Sequence, residues 1–236
     1  MHKPSLPTVV ASVAALLTAG SVVSLPANVS TPAAAETDLA YVRQALQRYE
    51  LSSEVRLRLL ADFVAGRVWD SQSGAEPVAT DVERIDTVER TIYRYPDGSI
   101  NVSEMSVPGA TEPTDVDAAR ISDCVLIQQR YDVWIWDNCQ VSWDAITWSM
   151  HYTAKYGIYQ FGSDIYHVGN LSWGGVGSFS DPALEIVTEH AHGRSNPAVA
   201  QGKVTQHGGP VMSRTVGVRL KVRADWGGGR SSSFGD

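Results

Sequence analysis

The stretch CVLIQQRYDVWIWDNCQVSWDAITWSMHYTAKY, residues 124–156, decides the fold class. It holds both cysteines and four of the seven tryptophans. From Ile146 onward the apolar side chains take every second position (Ile146, Trp148, Met150, Tyr152, Ala154, Tyr156), with Thr147, Ser149, His151, Thr153 and Lys155 between them. A period of two is that of a strand with one buried face. Just upstream, Tyr131, Val133 and Ile135 alternate with Trp134 and Trp136, so both faces of that strand carry large apolar groups. One face has to be core. The other is either covered by neighbouring helices or displayed, and a displayed Trp134 and Trp136 pair is a surface on which sugar rings or an apolar partner patch stack.

Working downstream, short strands follow one another, at 158–161, 165–168, 184–192 and 199–206. The last is the plainest: Val216, Val218, Leu220, Val222, Ala224 and Trp226 alternate with Gly217, Arg219, Lys221, Arg223 and Asp225. Residues 227–236 have the glycine and serine composition of a flexible tail. Working upstream, ERTIYRYPDGSINVSEM places Pro96, Asp97 and Gly98 between two strand-forming runs, the pattern of a tight hairpin. Residues 68–85 read as a linker anchored by Trp69, and 108–117 as a second turn-rich connection. Before them the spacing turns helical: Leu39, Val42, Leu46 and Tyr49, then Val55, Leu59, Leu60 and Phe63. Asp38 and Ser52 or Ser53 are the expected caps and Gly66 the expected end. Strands at short intervals, with helices only at the start, predict a mainly β protein: an antiparallel β-sandwich or small barrel over 86–226, preceded by a helical hairpin over 36–67.

The first 35 residues have the form of a secretory signal peptide: Lys3, an uncharged apolar run from Val9 to Leu25, then Pro26 and an A-x-A pattern at Ala33 to Ala35. The expected location is therefore extracellular, with no membrane span in the mature protein. In an exported chain Cys124 and Cys139 are expected to be joined, closing a short loop worth about 3 kcal/mol. The net charge of −7 and the lack of basic clusters speak against nucleic acid as a partner.

Candidate chemistry is sparse. His190 and His192 form an H-x-H pair that one strand would set beside Leu184, Ile186 and Thr188, with His151, His167 or His207 as a third zinc ligand; H-x-H alone is a weak signal, and no metal or other cofactor is expected. Glu185 and Glu189 alternate onto one strand face, as a glycosidase pair would, but such pairs usually come from different elements. No G-x-S-x-G elbow occurs, and WGGVG at 173–177 matches no phosphate loop. Asn101 and Asn170 stand in N-x-S acceptor motifs. No catalytic residue is assigned.

With its helical pair, a WDS segment (Trp69, Asp70, Ser71) leading to Gly74 and Pro77, a YPDGS segment (Tyr95 to Ser99) followed by Val102 and Glu104, and a cysteine-bounded start to the β region, the chain resembles a group of secreted, functionally uncharacterised proteins of actinobacteria and related Gram-positive bacteria. The resemblance implies a β-rich second half and brings no activity. Residues 44–60 are similar to pro-segments of some secreted serine proteases, but no protease pattern follows. The expected function is that of a secreted binding protein for cell envelope, glycan or protein. The alternatives are a secreted hydrolase of polysaccharide or peptide, which needs carboxylates or a histidine dyad gathered in one cleft, and a bacteriocin-like toxin.

Overall fold

The computed structural model describes residues 32–85, 87–106, 124–208, 211–226 and 228–235; the apolar leader and the turn-rich 108–117 lie outside them. Two helices, α1 (Pro32–Gln47) and α2 (Ser53–Val64), precede twelve strands. These are β1 (Ala79–Ile85), β2 (Val88–Arg94), β3 (Ile100–Ser106), β4 (Val125–Arg130), β5 (Val133–Asp144), β6 (Trp148–Tyr159), β7 (Gly162–Gly175), β8 (Ser178–Thr188), β9 (His190–His192), β10 (Ala198–Gly208), β11 (Val211–Arg223) and β12 (Gly228–Gly235). They form two antiparallel sheets, one of eight strands in the order β1-β2-β3-β5-β6-β7-β9 with β4 paired to β5 beside this path, the other of four in the order β12-β11-β10-β8. The expected antiparallel β-sandwich with helices in front is what forms; neither sheet closes into a barrel.

Period-two patterning places the core. Trp148, Met150, Tyr152, Ala154, Tyr156 and Ile158 of β6 are all buried and meet Val216, Val218, Leu220 and Val222 of β11 across the sandwich. The sheets are unequal, and the larger one is covered on both sides at one end. On β3, Met105 joins the core between the sheets, while Ile100 and Val102 belong to a second cluster with Val42, Leu46, Leu59 and Trp69. The helical pair thus packs on the outer face of the large sheet, opposite the small one. Helices this short need such a surface to persist.

Ser52 caps α2 by accepting from the Val55 amide, and Gly66 follows its end with positive φ, as the sequence predicts. Asp38 does not cap: α1 already runs from Pro32, and the Asp38 carboxylate instead accepts the Gly177 amide. Residues 68–85 are only partly a linker, because β1 occupies 79–85. This strand is solvent-exposed along its whole length, so no apolar alternation marks it. The expected tail likewise carries β12, paired to β11 from Val216↔Gly235 to Arg223↔Gly228. Gly229 is closely packed there: a Cβ on it would sit 2.4 Å from Met105 Cε and 2.8 Å from Leu220 Cδ1.

Candidate functional site

The two short motifs, far apart in sequence, are one structure. Tyr95 to Ser99 form a three-residue hairpin loop, with Gly98 donating to Tyr95 O, Tyr95 N donating to Ser99 O, and Gly98 at φ +80°. The Asp70 amide donates to the Asp97 carboxylate at 2.8 Å, and the Asp97 amide returns a bond to the Asp70 carboxylate at 3.0 Å. Asp97 also accepts from the Ser99 amide and hydroxyl, Ser99 Oγ accepts the Ser71 amide, and Asn101 Nδ2 donates to Ser71 O. Trp69, 2% exposed, roots the segment by donating its Nε1 to Leu59 O of α2. This latch holds residues 70–75 across the mouth of the hairpin.

Beside the latch lies a cavity of about 380 Å³, at the lower end of the size of small-molecule sites. Residues 71–75 and Tyr95 line one side, Asn101, Trp143 and Trp148 the large sheet, and Arg214, Val216 and Ser233 the small one. Behind its wall several buried polar atoms find no partner. Asn101 uses both amide hydrogens, on Ser71 O and Tyr95 Oη, which fixes its orientation and leaves Oδ1 as an acceptor without a partner in the protein. Gln72 donates Nε2 to Thr147 and is left with a free Oε1. Ser71 Oγ and Trp143 Nε1 complete the set, so four of the five buried side-chain polar atoms lacking a partner among the described residues belong to residues of this one cavity. Each such atom costs about 1–3 kcal/mol unless something completes it. The Trp143 ring stacks on Tyr93 with centroids 5.3 Å apart, and burial raises the Tyr95 phenol above its ordinary range, so that it remains a donor.

The electrostatics are one-sided. Among the described residues the cavity wall carries no Asp, Glu or His, and its one charged side chain is Arg214. Burial lowers the Arg214 pKa. Its Nε donates to Gln206 Oε1 at 3.1 Å, and Gln206, itself 3% exposed, is held by donating Nε2 to Val176 O and Thr147 O.

The residues singled out in the sequence lie elsewhere. Cys124 and Cys139 are disulfide-bonded, tying the open end of the β4–β5 hairpin. Trp134 and Trp136 pair with Ile158 and Tyr156 and face the core between the sheets; Trp136 is 6% exposed and Trp134 half-buried. Their cover is the small sheet rather than the helices, and they do not form a displayed face. The H-x-H reading fails because the chain leaves the small sheet at Glu189: β8 and β9 belong to different sheets, so His190 and His192 do not continue the face of Leu184 and Ile186. His190 instead lies 3.1 Å from Asp164, which also accepts from Tyr159 Oη. Glu185 is on β8 and Glu189 at the break, while Glu104 of β3 pairs with Arg90 of β2; they gather in no cleft. No group of three or more metal-ligating side chains occurs among the described residues. Of the two acceptor motifs, Asn101 is 3% exposed and spent inside the latch, while Asn170 is exposed on β7.

One serine–histidine arrangement does occur: His207 Nε2 is 2.8 Å from Ser180 Oγ, and Nδ1 is 3.2 Å from Ser213 Oγ. Ser180 donates its single proton to Asp181, which makes His207 the donor to Ser180 and leaves no lone pair facing the hydroxyl. In a nucleophilic triad the carboxylate orients the histidine; here it holds the serine.

Sequence reasoning missed the cavity because its wall comes from five separate segments. The one available signal was the pair of motifs, which supply Ser71, Gly74 and Tyr95; nothing marks Arg214 among the cations of β11. Comparison with protein-family models, with curated proteins and with solved structures finds no match.

Proposed function

We propose that the chain is an exported binding protein whose cavity between the latch and the sheets receives a sugar residue of an envelope glycan. The observation that carries this reading is the lining itself: polar Ser73, Ser233 and Arg214 share one cavity with the Tyr95, Trp143 and Trp148 rings. Sugar hydroxyls donate and accept at once, so they answer a lining of hydroxyl and guanidinium groups, while their C–H faces lie against aromatic rings. The signal-like leader supports export. No helix among the described residues is long and apolar enough to cross a membrane. Among the described residues the cavity wall holds no carboxylate or histidine to act as acid or base, which favours binding over hydrolysis.

The test is retention of the chain on insoluble cell-wall polysaccharides, together with tryptophan fluorescence during titration with their soluble fragments. Binding should change the emission, and Tyr95→Phe, which deletes the phenol hydroxyl but keeps the ring, should weaken it about fivefold to tenfold, the value of one hydrogen bond. Failure to be retained on any polysaccharide would remove the proposal.

A further inference from the structure

Arg214 is the only charge on the cavity wall among the described residues, and its setting is unusual for an arginine. A guanidinium drawn out of water is ordinarily paired with a carboxylate. Among the described residues Arg214 has no ion-pair partner; burial alone acts on it, and the group that holds it is the neutral oxygen of Gln206. That oxygen cannot turn away, because the Gln206 amide is anchored on its other side by Val176 O and Thr147 O. The outcome is a guanidinium fixed through Nε by an acceptor that aims it without cancelling its charge. Its two terminal nitrogens keep the parallel donors that suit a planar oxyanion.

On the reading that the cavity binds a sugar residue, we propose that this residue is acidic and that its carboxylate is bound by Arg214. Gln206 is the positioning residue. The remaining wall answers the rest of such a ring with Ser73, Ser233 and the Tyr95 phenol, which burial keeps protonated. The volume of about 380 Å³ suits a small ligand or a chain end rather than a long glycan threaded through.

The experiment is isothermal titration of the full chain at low ionic strength with D-glucuronate and D-galacturonate, against D-glucose and D-galactose, and with acetate as the bare carboxylate. The expected result is at least a tenfold preference for each acidic sugar over its neutral counterpart, with acetate weaker than both. Arg214→Gln should abolish the preference by bringing the acidic sugar down to the neutral one, and Arg214→Lys should restore part of it. On the wild-type chain, raising the salt should weaken glucuronate and leave glucose unchanged, a readout that needs no variant to fold. Equal affinity for acidic and neutral sugars, or a preference that survives Arg214→Gln, would overturn the acidic assignment while leaving the sugar site standing. Acetate binding as tightly as glucuronate would show an anion site without sugar recognition and overturn it too. Absence of binding by any of these sugars at millimolar concentration, with the chain still retained on cell-wall polysaccharide, would place the glycan elsewhere and sink both readings of the cavity.

Discussion

Removing the Asp97 carboxylate tests the latch at its centre. Three donors end on that side chain: the Asp70 amide at 2.8 Å, the Ser99 amide at 2.8 Å and the Ser99 hydroxyl at 2.6 Å. Asp97→Ala strands all three, and Ser99 has no exposure through which water could replace them. Bonds to a charged acceptor are worth about 1.5–3 kcal/mol each, but bonds within one network are not additive. The expected loss is about 3–5 kcal/mol, a large share of the 5–15 kcal/mol that holds a typical domain. Asp97→Asn keeps an acceptor for Ser99 but can turn an N–H toward the Asp70 amide, so it should cost about 1.5–3 kcal/mol. Urea unfolding followed by tryptophan emission and far-ultraviolet circular dichroism reads both. With a slope of about 1–3 kcal/mol per molar, the Asp97→Ala midpoint should fall by at least 1 M. Because Asp70 and Asp97 exchange bonds, Asp70→Ala combined with Asp97→Ala should cost less than the two single losses together. An Asp97→Ala midpoint within about 0.3 M of wild type, or strict additivity in the double variant, would refute the claim that these two motifs act as one unit.

Further outcomes follow from other parts of the molecule. Cys139→Ser should lower stability by about 3 kcal/mol in urea unfolding, through the freed β4–β5 loop. Gly177→Ala should destabilise by more than 1 kcal/mol, because Gly177 has φ +82° and a Cβ there would lie 2.1 Å from His207 O; thermal unfolding measures it. Burial, with the Asp164 carboxylate adding to it, pushes the Tyr159 phenol up to about 12, and burial raises Tyr152 and Tyr156 further. A phenol with a raised folded pKa makes the native state the better proton binder above the ordinary value of about 10, so its stabilising effect is complete below that value and lost as pH climbs through the folded one. Phenolate absorbance at 295 nm should therefore stay short of nine tyrosines at pH 11 and reach the full value only on unfolding.

Legibility in the sequence tracks how local the physics is. Alternation on β6 and on β11 announced the sheets because one face of each is core and the other is not, and the PDG turn announced its hairpin because the loop geometry requires those residues. The edge strands β1 and β12 left no such trace: one is wet on both faces, and the other is built from glycine and serine that fit under Met105 and Leu220. Trp134 and Trp136 show the limit of reading a single strand, since alternation tells which residues share a face but not which layer lies over it. Histidines 190 and 192 show another, because the crossing between sheets at Glu189 carries no local mark. The cavity was hidden most thoroughly. Its wall comes from the latch, β3, β5, β6, β11 and β12, and what singles out Arg214 is the lack of an acid nearby among the described residues, a property of three dimensions.

Strand β3 shows both of its sides to protein: Asn101 borders the cavity, while its neighbours Ile100 and Val102 are rooted among the helices. A strand placed this way behaves as a partition shared by two rooms. A guest pulling on Asn101 from one room should be felt in the other as slower amide exchange in α2, so occupancy can be read from a surface the guest never meets. By the same geometry, trimming residues 32–66 would not free a tidy sandwich. It would bare Ile92, Ile100, Val102, Ile146 and Val176 together and leave the partition with a roof on one side only.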